Sequence, residues 1–401
     1  MCCAAATSRA SGSRSPPSRA GSPARRPPVP RREIIEEAER VLQLCSACMY
    51  CDAYCAVFPA IAGKATFPIA DVAHIANLCH GCRGCWYACQ YAPPHPFAVN
   101  LPQALAAARR LSCAEVARPR WLASGFARNG FTVAAVVGGV TVLALAAVLL
   151  TVPYDTLFAV HRGAGAFYRV VPWGVMSAVA GLSFLWAVAA ISASTLAFWR
   201  SIAPKTSRKA MRRALGPALR AVVTLENLGG DGHGCNDVGE RLSDEKRIAH
   251  HVLVAGFGLT IVSTLSAAVW HHVAGARAPY AVVSLPVLAG LVGGVLMLLG
   301  TAGLAAIEAR ADRAPADPTE VRLNRVFLAL LALVSASGLA VLALRETMLM
   351  GITLTLHLGL VTGFFLVLPA SKMVHAPYRA AALWRAALDR IASPPRRSGG
   401  E

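Results

Sequence analysis

At 401 residues, 55% hydrophobic and with a mean hydropathy of +0.50, the chain is too apolar for a soluble protein of its charge and reads as mostly membrane. Its formal charge of +18 comes from Arg and Lys in the N-terminal tail and in loops beside apolar spans, and no basic stripe interleaved with aromatics points to nucleic acid. All but one of the 12 cysteines precede residue 114, and no secretory signal precedes them, which argues against disulfides and for a reducing compartment.

Residues 1 to about 32 are rich in Ser, Pro, Ala and Arg and read as a disordered tail, resembling an organellar transit peptide in their bias and lack of acids. From Arg32, REIIEEAERVLQL places Ile34, Ile35, Ala38, Val41 and Leu42 on one helical face, delivering Cys45. Two runs follow, CSACMYCDAYC and CHGCRGCWYAC, each spaced C-x-x-C-x-x-C-x-x-x-C. The first holds Cys45, Cys48, Cys51 and Cys55, the second Cys79, Cys82, Cys85 and Cys89.

Three thiolates on one tight, irregular turn reach separate corners of a cubane while a fourth arrives from elsewhere, so two [4Fe-4S] clusters are expected. A crossed arrangement would join Cys89 to the first three and Cys55 to the second three; an uncrossed one keeps each run to itself. Structural zinc would leave the third cysteine of each run surplus. Between the runs, TFPIADVAHIANL reads as a short helix ending at Cys79, with His74 and His80 as flanking residues rather than ligands. A Pro-rich turn and a helix then lead out of the module, and Cys113 is expected to be structural.

Six apolar stretches are each long enough to cross a hydrocarbon core, near 131–152, 171–198, 248–270, 281–305, 325–344 and 348–370. Cations crowd the connection between the second and third (Lys205, Arg208, Lys209, Arg212, Arg213 and others) and that between the fourth and fifth, so both termini and the cysteine module are expected on the cytoplasmic side. The fold class expected is mainly α: a ferredoxin-like two-cluster module over 33–120, a six-helix transmembrane cytochrome b-type bundle over 121–384, and a tail over 385–401.

Ionisable groups inside a membrane default to a functional reading. His250 and His251 open the third span, His271 and His272 close it, and His357 and His375 are assigned to the sixth. His357 and His375 are 18 residues apart, five helical turns, so on one helix they would share a face about 27 Å apart, one near each leaflet. Pairing by depth sets His250 against His375 for a cytoplasmic-side haem and His271 against His357 for a second, with His251 and His272 as alternates. Iron held by two imidazoles has no open position and carries electrons. His161 and His233 are expected to be ordinary loop residues, and the Gly-rich loop over 226–235, with Cys235, to pack under the cluster module.

These motifs form a set. CSACMYCDAYCAVFPA, ANLCHGCRGCWYACQYAPPHPFAVNLP, GGDGHGC with the later AHH, APYAVVSLPVLAG, LALRETM, HLGLVTGFFLVLP and SKMVHAPYR together resemble the tricarballylate utilisation protein B family, from about Arg32 to Trp384. The resemblance implies an inner-membrane electron-transfer protein with iron–sulfur clusters and haem b. It would reoxidise the reduced FAD of a separate dehydrogenase, one converting tricarballylate to cis-aconitate, and deliver electrons to membrane quinone. The eight cluster cysteines, His250, His251, His271, His357 and His375 match that pattern, whereas an aromatic usually stands where His272 is. The sixth span also resembles gamma-type cytochrome b subunits of nitrate and heterodisulfide reductases, and a membrane redox sensor is a third reading.

Overall fold

The computed structural model describes residues 30–127, 129–228 and 234–392; the expected tail through residue 29, His233 and residues 393–401 lie outside them. Among the described residues the regular elements are helical, and the one strand-like pairing is an isolated bridge between Cys235 and Ser243.

The cysteine module is built on α1 (Arg31–Cys48). Its sequence has no glycine or proline to stop it, so the helix carries Cys45 and Cys48 on its last turn. It ends at Met49, whose φ of 51° is left-handed and whose N–H returns to the Cys45 carbonyl. The irregular turn expected around all three leading cysteines is therefore confined to the stretch after Cys48, where Cys51 opens a 3-10 turn over Asp52–Tyr54. Helices α2 (Val57–Ile61) and α3 (Ile69–Leu78) follow. The second run folds differently despite equal spacing: Cys79 caps α3, Gly81 and Arg83 take φ of 66° and 65°, and Cys85 lies on the one-turn α4 (Gly84–Tyr87). Gly81 supplies the left-handed conformation at little steric cost.

Helix α5 (Leu101–Val116) starts where the Asn100 side chain accepts from the Gln103 N–H, then crosses back over α1 and α3. Leu42, Ile75 and Leu105 are fully buried where the three helices meet.

Short helices α6 (Leu122–Ala127) and α8 (Tyr154–Leu157) flank α7 (Asn129–Thr151). Then come α9 (Trp173–Ile202), α10 (Arg208–Val223), α11 (Glu245–Ala274), α12 (Leu285–Arg310), α13 (Pro318–Leu344), α14 (Met350–Val367) and α15 (His375–Ala392). Six helices (α7, α9 and α11 to α14) are long and apolar enough to cross a membrane, and the six hydropathic stretches fall on them. Two pairs pack closely. A Cβ on Gly256 of α11 would stand 2.6 Å from the Met297 nitrogen of α12, and one on Gly363 of α14 would stand 2.8 Å from the Val137 Cα of α7. Small residues let membrane helices approach this way, where hydrophobic burial alone gives no drive to associate.

The end of the chain departs from expectation twice. His375 does not continue the sixth span: α14 stops at Val367, two 3-10 turns over Leu368–Ala370 and Lys372–Val374 intervene, and His375 opens a separate helix. Pro369 has no N–H to extend the helix, and the Ser371 side chain instead accepts from the Met373 N–H. His357 and His375 therefore do not share one helical face. In addition, α15 runs through the first eight residues of the expected tail, because its apolar face of Tyr378, Leu383 and Leu388 is buried.

Module and bundle share one core. Phe198 of α9 stacks on Tyr378 of α15 at 5.0 Å, and both belong to the apolar cluster that includes Leu42 and Ile75.

Candidate metal centres

The eight cysteines of the two runs lie close enough to act on one another's ionisation. Burial pushes the Cys45 thiol up to about 12, with Cys89, Cys51 and Cys48 adding to the effect in that order. Cys51 is raised to about 11, by burial and then by Cys89 and Cys48. Cys55 stands well above its ordinary value through burial, then Cys82 and Cys79; Cys85 does so through burial, Cys82, Cys55 and Cys79. Cys89 thus acts chiefly on Cys45 and Cys51, and Cys82 and Cys79 chiefly on Cys55 and Cys85, while Cys51 also acts on Cys55 and Cys85.

Left free, such thiols stay protonated, and binding metal would deprotonate them. Among the described residues no three His, Cys, Asp or Glu side chains converge tightly enough to hold a single ion. The first group lines a pocket with Leu44, Met49, Phe58, Tyr91, Val99 and Leu101, into which Cys85 also reaches, and no charged side chain lines it. Cys48 is exposed at its rim.

The second group adjoins a buried ionic junction that binds the module to the bundle. On α5, Arg109 sets one guanidinium nitrogen on the Cys79 carbonyl at 2.7 Å and another on both Glu320 carboxylate oxygens, each at 2.7 Å. Arg110 pairs with Asp317 at 3.0 Å, and Asp317 caps α13 by accepting from the Glu320 N–H. Lys372 also meets Glu320. Arg379 of α15 donates to the Cys79 carbonyl at 2.8 Å and to the Asn77 carbonyl at 3.3 Å. No carboxylate lies within ion-pair reach of Arg379 among the described residues. Burial and Arg109 lower it to about 10, so it stays cationic at neutral pH.

One turn before Arg379, His375 faces His250. The ring centroids are 6.3 Å apart and the planes 83° to each other. Two imidazoles on one metal, with bonds of about 2 Å each and roughly 1 Å more to each ring centre, stand about 6 Å apart. His375 Nδ1 is hydrogen-bonded to the Lys372 carbonyl at 2.5 Å, which assigns it the proton and leaves Nε2 bare. His250 Nδ1 is buried without a partner, a state costing about 1–3 kcal/mol unless something bound answers it. The pair fits a bis-imidazole iron. His251 points elsewhere, its nitrogens 3.1 Å and 3.3 Å from the carbonyls of Arg247 and Val223.

The other expected pair is not brought together. His271 stacks on Trp173 at 4.6 Å and lies 3.3 Å from the Tyr168 hydroxyl. His272 meets Trp173 edge-on at 5.4 Å. His357 faces α13 instead, its Nδ1 2.9 Å from the Ser337 hydroxyl.

The flanking histidines hold backbone carbonyls, and His74, rather than lying at the surface, is buried. His74 is buried on the Ala382 carbonyl at 3.0 Å, and His80 holds the Leu78 carbonyl at 2.7 Å. His161 binds the Thr156 carbonyl at 2.7 Å. Cys235 donates to the Leu228 carbonyl, while its neighbour Asn236 donates from its N–H to the Cys82 carbonyl at 2.8 Å, which sets the chain just after the loop beside the second run. Arg109, Glu320, Lys372 and Arg379 went unremarked in the sequence. The signal available was Glu320, a carboxylate in the first turn of an apolar span, where a charge needs a partner.

Six membrane-length helices bearing a helical iron–sulfur module at one end define a multi-pass membrane iron–sulfur protein. The citrate utilization protein B model matches residues 128–396, and the citrate utilization protein B Fer4-like domain matches residues 38–115. The chain belongs to that family. It is 37% identical over 355 residues to Citrate utilization protein B of Escherichia coli, covering 88% of this chain and 92% of that protein. No solved structure matches it.

Proposed function

We propose that the chain is the membrane electron conduit of a separate flavin dehydrogenase. Cys45, Cys48, Cys51 and Cys89 would hold one [4Fe-4S] cluster, and Cys55, Cys79, Cys82 and Cys85 a second, in the crossed sense. His250 and His375 would hold haem b. These groups supply one-electron steps between a two-electron flavin donor and a two-electron quinone acceptor.

The chain's own residues do the rest. The α1 terminus and the Gly81 turn orient the thiols, Lys372 fixes the His375 tautomer, and the Arg109–Glu320 clamp holds the module on the bundle. With cation-rich connections on the module's side, the module and both termini face the cytoplasm. The dehydrogenase would act on a tricarboxylate such as tricarballylate or citrate, in keeping with the relative's name.

What supports this reading is that Cys89 acts on Cys45 and Cys51, and Cys82 and Cys79 on Cys55, with an imidazole pair whose ring centres are 6.3 Å apart on the bundle side. Purified anaerobically with its dehydrogenase, the protein should show cluster signals by EPR, and substrate should reduce them and a quinone analogue. Substrate reduction of the flavin with clusters left oxidised would overturn the proposal.

A further inference from the structure

The two thiol groups share spacing and cysteine count but not surroundings. Around the first, the lining is apolar and uncharged, and Cys48 opens to solvent beside Tyr50, which is 69% exposed. Against the second lies the ionic junction. Of its three cations, Arg109 and Lys372 share the single carboxylate of Glu320 and Arg379 holds only the Asn77 and Cys79 carbonyls, so three less one leaves two positive charges. The neighbouring Arg110–Asp317 and Lys246–Asp237 pairs are each neutral.

Uncompensated charge inside a protein is costly, so something of opposite sign must answer it. Two guanidinium groups converge on one atom, the Cys79 carbonyl oxygen, at 2.7 Å and 2.8 Å. A cubane bound by four thiolates is a dianion when oxidised and gains one more negative charge on reduction. Its charge would balance the junction, and its reduced form gains most from it. Water at the first group also favours reduction, but it screens through a high dielectric, whereas the junction acts in a low one.

We infer that Arg379, with Arg109 and Lys372, gives the Cys55–Cys79–Cys82–Cys85 centre the higher reduction potential and so makes it the exit of the module, with the solvent-open Cys48 centre as the entrance. This rests on the two-cluster reading above. A reduced flavin would give up its two electrons one at a time, each passing from the first centre to the second without a proton, and the flavin would be fully oxidised only after the second. The exit lies on the side of His375, one turn from Arg379 on the same helix.

The test is a potentiometric EPR titration of the full-length protein in detergent, with dithionite as reductant. Two cluster couples of different potential are expected. Arg379→Gln should lower only the higher one, by an amount that changes its reduced fraction about tenfold at fixed ambient potential, about 59 mV for one electron. Lys372→Met should move it the same way, Arg379→Lys should largely preserve it, and Cys48→Ser should remove the lower couple. Equal potentials, or an Arg379→Gln shift in the lower couple, would overturn the inference while leaving the conduit intact. No cluster signal in the wild-type protein would instead overturn the two-cluster reading itself.

Discussion

The two ends of the membrane bundle started from the same pattern, a histidine on the third span facing a histidine near the sixth. At the module end, His250 and His375 stand 6.3 Å apart with no hydrogen bond between them; at the far end, His271 lies on Trp173 and His357 on Ser337. Helical spacing says which residues share a face, but neighbouring helices decide what that face meets. Helix α11 packs chiefly on α12, and α14 packs on α7, α13 and α9, so His357 looks into α13. His375 escapes that constraint because the span ends before Pro369 and His375 opens α15, where its ring meets His250 of α11.

The sharpest way to break this contrast is substitution at each end. His250→Ala or His375→Ala should abolish the haem proposed between them, read by pyridine haemochrome, while His271→Ala should leave it in full. Equal losses from all three would mean the far end is a second ligand pair.

Next in size is acid sensitivity at the module end, where His74 joins α3 to α15. Burial, then Arg385, lowers its imidazole from an ordinary 6.5 to about 4. A depressed histidine stays neutral in the fold while the unfolded chain takes up a proton. Its contribution is therefore whole above about 6.5 and is lost as pH falls toward 4, by about 3 kcal/mol at the limit. Thermal unfolding of His74→Gln in detergent should show a shallower loss between those pH values than the wild type. Parallel curves would refute it.

Gly300 tests how His250 is held. A Cβ there would stand 2.6 Å from the Leu253 nitrogen, three residues from His250. Gly300→Ala should cost about 1–3 kcal/mol and perturb the haem spectrum, whereas Gly258→Ala, which meets nothing within 4 Å, should do neither. The smallest effect is expected at the far end. Ser337→Ala removes the His357 hydrogen bond and should cost about 0.5–1.5 kcal/mol of stability with the module-end haem unchanged.

Much of this was legible in the sequence. Hydropathy placed all six spans, and the doubled cysteine spacing located the module. The spacing alone left crossed and uncrossed grouping open, because the choice depends on where α1 and the Gly81 turn set each run relative to Cys89 and Cys55. It also hid that Cys45 and Cys48 sit on a helix while their counterparts Cys79 and Cys82 do not: Met49 can end α1 only after the second cysteine, whereas Gly81 turns the chain before it. The ionic junction was illegible for another reason. Arg109, Glu320 and Arg379 are 59 or more residues apart in sequence, and each alone resembles an interfacial charge.

Iron, acid-labile sulfide and pyridine haemochrome, measured together on anaerobically purified wild type and His375→Ala, test the arrangement most directly. About eight non-haem irons with matching sulfide should appear in both proteins, with haem b in the wild type and the module-end haem gone from the variant. Unchanged haem in His375→Ala, or iron without acid-labile sulfide, would contradict it.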